Sequence, residues 1–388
     1  MTWTTTKTGA PNLTASLART PLYDRHVALG GRMVDFGGWE LPQQYTSIRD
    51  EHLAVRKVAG LFDISHMGRV VVKGSGAAGF VQGLVTNDVS KLEPHRALYA
   101  LMCREDGGVL DDLVIYRGAD GPDDFLIVVN ASNRLKDLEW MRAHAPSGTE
   151  IEDRSQELSL LAFQGPRAQE LLPSTAKSEV ESIPYFGFRD GEVAGTKVVI
   201  SRTGYTGEDG FELFIDSKEV GTVWDAILEH ASPDGALPAG LGARDATRLE
   251  AALRLYGNDM DETVNPYEAG LGWTVKLAKG DFIGRRALAL VKEEGPKRTL
   301  VGLKTAPGDI ARHGATVFSQ EGQVGAVTSG THSFFLGHPI ALAMVEVASL
   351  RVGEAARVDV RGREASAEVV QLPFYRGSAR SAAAPVKS

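Results

Sequence analysis

The sequence predicts an α+β protein of two or three domains that ends in a small all-β domain. Short apolar runs separated by turn signals fill most of the chain, and 43 of its 388 residues are glycine, which favours many short strands. Helical patterns are fewer and lie between these runs, as in a mixed fold. The chain is also longer than a single hydrophobic core usually supports.

The strands and helices of the first 280 residues follow from alternation and from helical spacing. Runs rich in Val, Ile, Leu and aromatic residues indicate strands at residues 68–73, 97–103, 109–117, 124–130, 158–164, 197–201, 211–216 and, further on, 300–304. Apolar residues at helical spacing indicate helices at 132–145, 167–172, 220–230 and 243–255, the first of them capped by Ser132.

The pattern changes after residues 279–296, which indicate one short helix and a polar exit. Short strands joined by turns then follow at 315–319, 325–328, 341–347, 356–360 and 367–371. Regular spacing of this kind predicts a small β-barrel or sandwich. The Thr-rich residues 1–20 lack the apolar core of a secretory signal, and we expect them, like the tail 378–388, to be disordered.

Composition narrows the class of function. The net charge of −8 argues against a general nucleic-acid binder, and no apolar run approaches the length that spans a bilayer. Cys103 is the only cysteine, so no intrachain disulfide forms, and we expect a reducing, cytoplasmic location. The surroundings of Cys103, ALYALMCRE, indicate a packed strand residue rather than a nucleophile.

One glycine motif suggests a dinucleotide site and does not fit it. Residues 74–79, GSGAAG, match G-x-G-x-x-G after the strand-like RVVVK. A dinucleotide site needs a long helix next and an acid at the end of a second strand. Here the helical piece is short and soon meets Thr86-Asn87-Asp88, so we interpret the glycines as a turn and expect neither NAD nor FAD.

Two adjacent carboxylates in an apolar strand are the first unusual feature. In GGVLDDLVIYR, residues 107–117, alternation places Asp112 on one face with Tyr116 and Asp111 on the other. If either face is buried, a carboxylate is buried with it, which is costly without partners. The alternative is that both acids lie near the strand's start and reach solvent.

The second and third features carry a carboxylate and an arginine. In SRTGYTGEDGFELFI, residues 201–215, Glu212 lies on the strand face opposite the apolar one. A carboxylate there could accept two hydrogen bonds from a flat, amide-like heterocycle. The alternative is that Glu212 faces solvent. In PAGLGARDATRLEAALRLYG, residues 238–257, Arg244 lies at a helix start, where the helix dipole favours acids. That placement suits a carboxylate-binding role, although a surface or ion-paired Arg is the commoner explanation.

No other constellation carries chemistry. Ser65 and His66 are adjacent, and as strand residues they point to opposite faces, so they cannot pair as nucleophile and base. No cluster of His, Cys or carboxylates has metal-ligand spacing, so we expect no metal.

Taken together, the sequence resembles the glycine cleavage system T-protein (aminomethyltransferase) family from about residue 20 to 377. The segments that carry the resemblance are TPLYDRHVALGGRMVDFGGWELPQQY, GLFDISHMG, TNDV, ALYALMC, GGVLDDLVIY, LLAFQGPRAQ, SRTGYTGEDGFE, GLGARDATRLEA, LYGNDMDETVNP, FIGRRAL and TSGT. The resemblance implies a three-domain cloverleaf with a central folate cavity. The domains would be residues 21–65 with 155–280, residues 66–154, and a barrel of residues 297–377.

The resemblance also implies an activity and its residues. The family transfers the methylene carbon of an aminomethyl group on the lipoyl arm of the H-protein to tetrahydrofolate, a co-substrate, releasing ammonia and 5,10-methylenetetrahydrofolate. By position, Asp112 matches the catalytic aspartate, Glu212 the pterin-binding glutamate and Arg244 the arginine toward the glutamyl tail. The remaining folate-binding matches are Tyr99, Tyr116, Asn130, Tyr185 and Tyr205.

The resemblance leaves the one-carbon donor open and has one departure. After TSGT the family commonly continues with a Ser-Pro turn, whereas this chain has Phe334 and Phe335 there. That change puts the shape of one side of the cavity in question. A folate-dependent demethylase of a sulfonium or methylamine compound, or a non-catalytic folate-binding protein, are the alternatives on the same fold.

Overall fold

The computed structural model describes residues 16–118, 124–173 and 180–379, which build two β-sheets with helices and a closed barrel. Most of the expected disordered segments lie outside the described residues. Of residues 1–20, the last five are described, and Ala18 hydrogen-bonds across to a hairpin of β1 and β2. This N-terminal part comprises α1 (Tyr23–Ala28), β1 (Met33–Phe36) and β2 (Trp39–Pro42).

The first sheet gathers strands from two separate parts of the chain. It has the order β10-β11-β12-β9-β3-β13, antiparallel except for the parallel pair of β13 and β3. Trp224, fully buried, lies in its core with residues of the packed helices. The elements are α2 (Ile48–Lys57), β3 (Gly60–Asp63), β9 (Leu158–Gln164), α5 (Ala168–Leu171), β10 (Phe188–Val193), β11 (Thr196–Ser201), β12 (Gly210–Asp216), α6 (Val220–Ala231), β13 (Leu237–Pro238) and α7 (Leu241–Glu250).

The second sheet is formed by the chain between β3 and β9. Its order is β5-β6-β7-β4-β8, all antiparallel, and two helices cover one face with an apolar core of Val, Leu, Ile and Phe. The elements are β4 (Gly68–Lys73), α3 (Ala77–Leu84), β5 (Ala97–Cys103), β6 (Val109–Arg117), β7 (Asp124–Val129), α4 (Arg134–His144) and β8 (Glu150–Asp153).

The C-terminal strands close into a barrel in the order β14-β17-β16-β15-β18-β19. Pairing of β19 with β14 completes the closure, so the structure selects the barrel from the two predicted alternatives. The elements are α8 (Arg285–Glu294), which precedes it, β14 (Arg298–Thr305), β15 (Thr316–Phe318), β16 (Gln323–Ser333), β17 (His338–Glu346), β18 (Ala355–Val360) and β19 (Arg363–Val370). Short 3-10 turns occur at Val89–Lys91, Ser232–Asp234, Gly272–Thr274 and Leu277–Lys279.

Two apolar contacts bring the three parts together. The two sheets pack on each other through side chains such as Phe62, Phe214 and Tyr116. A second cluster joins β5 and β6 to α7 and the barrel, and it includes Cys103 and Leu342. The space left between these contacts is a cavity that all three parts border.

Several predicted elements agree closely with the structure, and the largest boundary errors concern one strand and two helices. The predicted strand 325–328 lies within β16, which runs from Gln323 to Ser333. The 132–145 helix begins at Arg134 with Asn133, not Ser132, in the capping position. The 243–255 helix ends at Glu250, because Ala252 adopts a left-handed backbone with φ 53°. At the GSGAAG turn, a Cβ on Gly74 would lie 2.2 Å from the Gly148 carbonyl oxygen, so close approach of two loops explains the glycine.

Candidate active site

A cavity of about 2030 Å³ lies where the two sheets and the barrel meet. It is bordered by the ends of β5, β6 and β7, by the loop before β12, by α7, by the tip of β16 and by the C-terminal segment. The structure brings together all eight residues that the sequence singled out. They are Asp112, Tyr99, Tyr116, Asn130, Tyr185, Tyr205, Glu212 and Arg244.

Asp112 faces the cavity from β6 and has two hydrogen-bond donors. The Tyr99 hydroxyl donates to its Oδ2 at 3.0 Å, and the Asn130 amide Nδ2 donates to its Oδ1 at 2.8 Å. Burial, and next the like charge of Asp111, raise the pKa of Asp112 to about 7, while the two hydrogen bonds oppose the rise. The group therefore changes protonation near neutral pH, as a general base requires.

Asp111 lies on the opposite face of β6 and is fully buried. It accepts hydrogen bonds from the Asn130 backbone N–H at 2.9 Å, from Asn130 Nδ2 at 2.8 Å and from Asn133 Nδ2 at 2.6 Å. The alternative in which both acids reach solvent is wrong, because residues at and before the start of α4 cover the Asp111 face. The alternation that separated the two side chains is confirmed.

Glu212 faces the cavity from β12 rather than bulk solvent. The Thr203 hydroxyl donates to its Oε2 at 2.5 Å and the Tyr116 hydroxyl at 3.3 Å. Burial raises the pKa of Glu212, and the Thr203 hydrogen bond and then the charge of Arg244 oppose that rise. Its other oxygen, Oε1, accepts no hydrogen bond from the residues that the structure describes.

The two arginines of α7, Arg244 in its first half and Arg248 in its last turn, have different surroundings. Arg248 is buried against Asp245, Asp259 and the Ser329 hydroxyl, and its charge is therefore neutralised by the protein. Arg244 makes no ion pair with any described residue and lies over the Tyr205 ring, 4.6 Å from its centroid. Burial lowers the pKa of Arg244, and the nearby Tyr205 and Glu212 oppose that effect. A guanidinium in a cavity without a direct ion pair favours an anionic ligand.

The remaining predicted residues contribute aromatic and polar surface. Tyr116 is packed edge-on against Phe188 and Phe214, at 5.5 and 5.1 Å between centroids. The Tyr205 hydroxyl donates to the Arg254 carbonyl, and Tyr185 lies at the cavity wall with a pKa raised by burial. Aromatic walls with a few fixed polar groups are typical of sites for flat organic ligands.

Trp273 and Arg254 are among the aromatic and cationic members of the wall that the sequence did not single out. Trp273 stacks on Tyr99 at 5.9 Å and 25° between planes, and 58% of its surface remains exposed. Arg254 lines the cavity and donates only to backbone carbonyls of Ala252 and Ala269. Trp273 lies in a Gly-flanked 3-10 turn without strand or helix periodicity, so no pattern identified it.

Two further sequence interpretations have structural outcomes. Ser65 and His66 lie in the turn after β3, so the premise that they are strand residues is wrong. Ser65 donates to the Leu160 carbonyl instead of to a base. Cys103 is buried in the cluster between β5 and the barrel, and burial raises the pKa of its thiol, which confirms the packing interpretation.

Phe334 and Phe335 form the tip between β16 and β17. The Phe334 ring borders the cavity, 5.0 Å from His332 and 6.3 Å from His52. Phe335 packs on Tyr375 of the C-terminal segment at 5.0 Å. The departure from the family pattern therefore lies on the barrel side of the cavity.

Comparison with known families covers nearly the whole chain. Residues 22–279 match the family described as GCVT N-terminal domain, and residues 298–376 match the glycine cleavage T-protein C-terminal barrel domain. Among the described residues, no helix has the length and apolar character needed to cross a bilayer.

Individual relatives agree with the family match. The aminomethyltransferase of Geobacillus kaustophilus is 48% identical over 362 residues, covering 93% of this chain and 99% of the relative. That of Thermotoga petrophila is 49% identical over 366 residues, covering 94% and 99%. A crystal structure of glycine cleavage system aminomethyltransferase T from Bartonella henselae superposes with a TM-score of 0.86 at 32% identity, covering 94% of this chain and 99% of that one.

Proposed function

The chain belongs to the glycine cleavage T-protein family of aminomethyltransferases, and we propose that its central cavity binds tetrahydrofolate and completes the aminomethyl transfer there. The methylene carbon passes from aminomethyl-dihydrolipoyl H-protein to the folate. The products are 5,10-methylenetetrahydrofolate, ammonia and dihydrolipoyl H-protein. The observation that carries the proposal is the meeting of Asp112, Glu212 and Arg244 in one cavity.

The polar groups of the cavity fit a folate. Glu212 offers a fixed carboxylate oxygen to the N–H groups of a pterin, held by Thr203 and Tyr116 on its other oxygen. Arg244, without an acid partner among the described residues, suits the carboxylates of a glutamyl tail. The rings of Tyr116, Tyr185 and Tyr205 supply the apolar walls for the pterin and aminobenzoyl groups.

The proton chemistry is assigned to Asp112. When bound, tetrahydrofolate supplies the amine nitrogen, N10, that takes the one-carbon unit and must lose a proton. The Asp112 carboxylate accepts that proton, since its pKa of about 7 leaves it partly ionised at neutral pH. Tyr99 and Asn130 fix one oxygen each, so the carboxylate is oriented before the folate binds.

The size of the cavity supports a second reactant beside the folate. Small-molecule sites commonly occupy about 300–1,000 Å³, and this cavity is larger, at about 2030 Å³. The surplus admits the lipoyl arm of the carrier protein. We place the arm on the side of Trp273, whose exposed ring adjoins Tyr99 and hence Asp112.

Turnover with purified components tests the proposal. The assay follows ammonia and methylenetetrahydrofolate together, starting from tetrahydrofolate and aminomethylated lipoyl H-protein. Stoichiometric formation of both, lost in Asp112→Asn, is the expected result. Folate binding without either product contradicts the proposal and favours a different donor or a binding protein.

A further inference from the structure

A second carboxyl group lies behind Asp111, in a place that the proposed reaction does not reach. Asp137, in the first turn of α4, is fully buried, as is Asp111. The two carboxyl groups are in hydrogen-bonding contact. Two ionised carboxylates in contact repel strongly when buried, so one of the pair holds a proton.

The surrounding donors decide which of the two is protonated. Asp111 accepts three N–H groups, from Asn130 and Asn133, and such bonds stabilise the ionised form. Among the described residues, neither side-chain oxygen of Asp137 has a hydrogen-bond donor as a partner. The proton therefore belongs on Asp137, which donates it to Asp111.

We propose that Asp137 is a positioning residue, a neutral carboxylic acid whose hydrogen bond to ionised Asp111 holds Asn130 and so fixes the orientation of Asp112. The inference rests on the proposed function, in which Asp112 accepts the proton of the transfer. Asn130 is the link, because its Nδ2 donates to both Asp111 Oδ1 and Asp112 Oδ1, each at 2.8 Å.

The neutral state of Asp137 also limits the charge behind the base. One negative charge, on Asp111, faces Asp112 through the strand, whereas two would oppose its ionisation further. The charged or titratable groups that interact with the pair are Asp112, Lys136 on α4 and Tyr256 on the segment after α7. Tyr256 in turn adjoins Asp261 and Glu262, and Tyr99 on β5 contacts Asp112. The Lys136 ammonium is engaged by the Leu110 carbonyl, Tyr256 and Glu262.

Variants at position 137 separate positioning from simple packing. Asp137→Ala removes the donor, and we expect kcat to fall about 10- to 100-fold with little change in KM for folate, since Asp112 loses its orientation. Asp137→Asn keeps a neutral N–H donor of the same size and should restore most of the lost kcat. Glu139→Ala, an exposed position on the same helix, is the matched control.

The pH dependence provides the readout that packing would not change. In Asp137→Asn the acid limb of kcat/KM should keep its parental midpoint, because a neutral group replaces a neutral group. In Asp111→Asn the midpoint should move to lower pH, because the like charge behind Asp112 is gone. A downward shift in Asp137→Asn, or failure of Asn to restore the activity lost in Asp137→Ala, overturns the proposal.

An infrared measurement tests the proton without using activity. Burial raises the pKa of Asp137 to about 10, so at about pH 9 it should remain protonated while Asp112 is ionised. The spectrum should then show a protonated carboxylic-acid carbonyl band that is absent from Asp137→Asn. If the parent turns over but lacks the band, the inference about Asp137 is rejected and the proposed function stands. If the parent shows the band but does not turn over, the proposed function is rejected and the protonation of Asp137 stands.

Discussion

The two sides of the cavity each present a buried carboxylate, and the neighbours of the two differ. On the β6 side, Asp112 has another carboxylate behind it, so burial and like charge raise its pKa together. On the β12 side, Glu212 faces hydroxyl donors and the positive charge of Arg244, which oppose the effect of burial. Burial is common to both, so the neighbours decide which acid exchanges a proton and which binds.

The β6 side should therefore control the rate and the β12 side the affinity. The difference comes from the neighbours of each carboxylate and not from its location, since both carboxylates line the same cavity. Substitutions that remove one carboxylate at a time test this division. The division is wrong if both substitutions change kcat, or if both change the affinity for folate.

Asp112→Asn should have the largest effect. Removing a general base lowers kcat by about 10²- to 10⁴-fold, while the dissociation constant for tetrahydrofolate, measured by calorimetry, should stay within a few-fold of the parental value. A loss of folate affinity as large as the loss of kcat would show that Asp112 binds folate, and the two carboxylates would then not differ in role.

The same variant should be at least as stable as the parent at alkaline pH. The pKa of Asp112 is about 4 in the unfolded chain and about 7 in the folded protein. Its contribution to the free energy of unfolding is therefore fully present below about pH 4 and is lost as the pH rises through about 7. Asparagine carries no charge to desolvate. In thermal unfolding, the melting temperature of Asp112→Asn minus that of the parent should therefore increase from about pH 5 to about pH 8.

Glu212→Ala should affect binding next most strongly. A hydrogen bond to a charged group contributes about 1.5–3 kcal/mol, so the dissociation constant for tetrahydrofolate should rise about 10- to 100-fold. At saturating folate, kcat should recover most of its value. Glu219→Ala, exposed beyond the end of β12, should leave the affinity unchanged, and an unchanged affinity in Glu212→Ala itself would reject its binding role.

Tyr99→Phe should produce a smaller, pH-dependent effect. The Tyr99 hydroxyl donates to ionised Asp112 and lowers the pKa of that carboxyl. Without it, the acid limb of kcat/KM should move upward by about one pH unit, equivalent to about 1.4 kcal/mol. Activity then falls most near neutral pH and is restored above it. A shift toward lower pH would show that Tyr99 does not stabilise the ionised form.

Phe334→Ser should have the smallest effect and should leave both acids alone. The Phe334 ring is 37% exposed at the cavity rim, so its loss should change the free energy of unfolding by about 1 kcal/mol or less. Folate affinity should be unchanged, and KM for the lipoyl carrier should change by a few-fold. A large drop in folate affinity would show that Phe334, on the barrel side of the cavity, takes part in folate binding.

Strand periodicity predicted which side chains share a face, and the family resemblance predicted which of them line a common cavity. Alternation in β6 placed Asp112 and Tyr116 on one face, and both side chains line the cavity. The strands 68–73, 97–103, 109–117 and 158–164 have the predicted bounds, since each is a regular apolar run that ends at turn residues. Burial of Asp111 was not predictable from its strand alone, because Asn130 and Asn133, which precede α4, supply the hydrogen bonds that make it tolerable.

Two features of the site depend on contacts between distant segments, which local sequence patterns do not show. Arg244 and Arg248 look equivalent at helical spacing, and only the acids from distant segments distinguish them, as Asp259 does for Arg248. Asp137 occupies the first helical turn, where the helix dipole already favours an acid. Its contact with Asp111 bridges a strand and a helix, which local patterns do not encode.

The pH dependence of kcat/KM, which reports ionisations of the free enzyme, tests the central claim most directly. The account predicts an acid limb with a midpoint near 7 in the parent, set by Asp112, and a residual activity in Asp112→Asn that has lost this limb. An Asp112→Asn variant that keeps the same limb would assign the ionisation to another group and contradict the account.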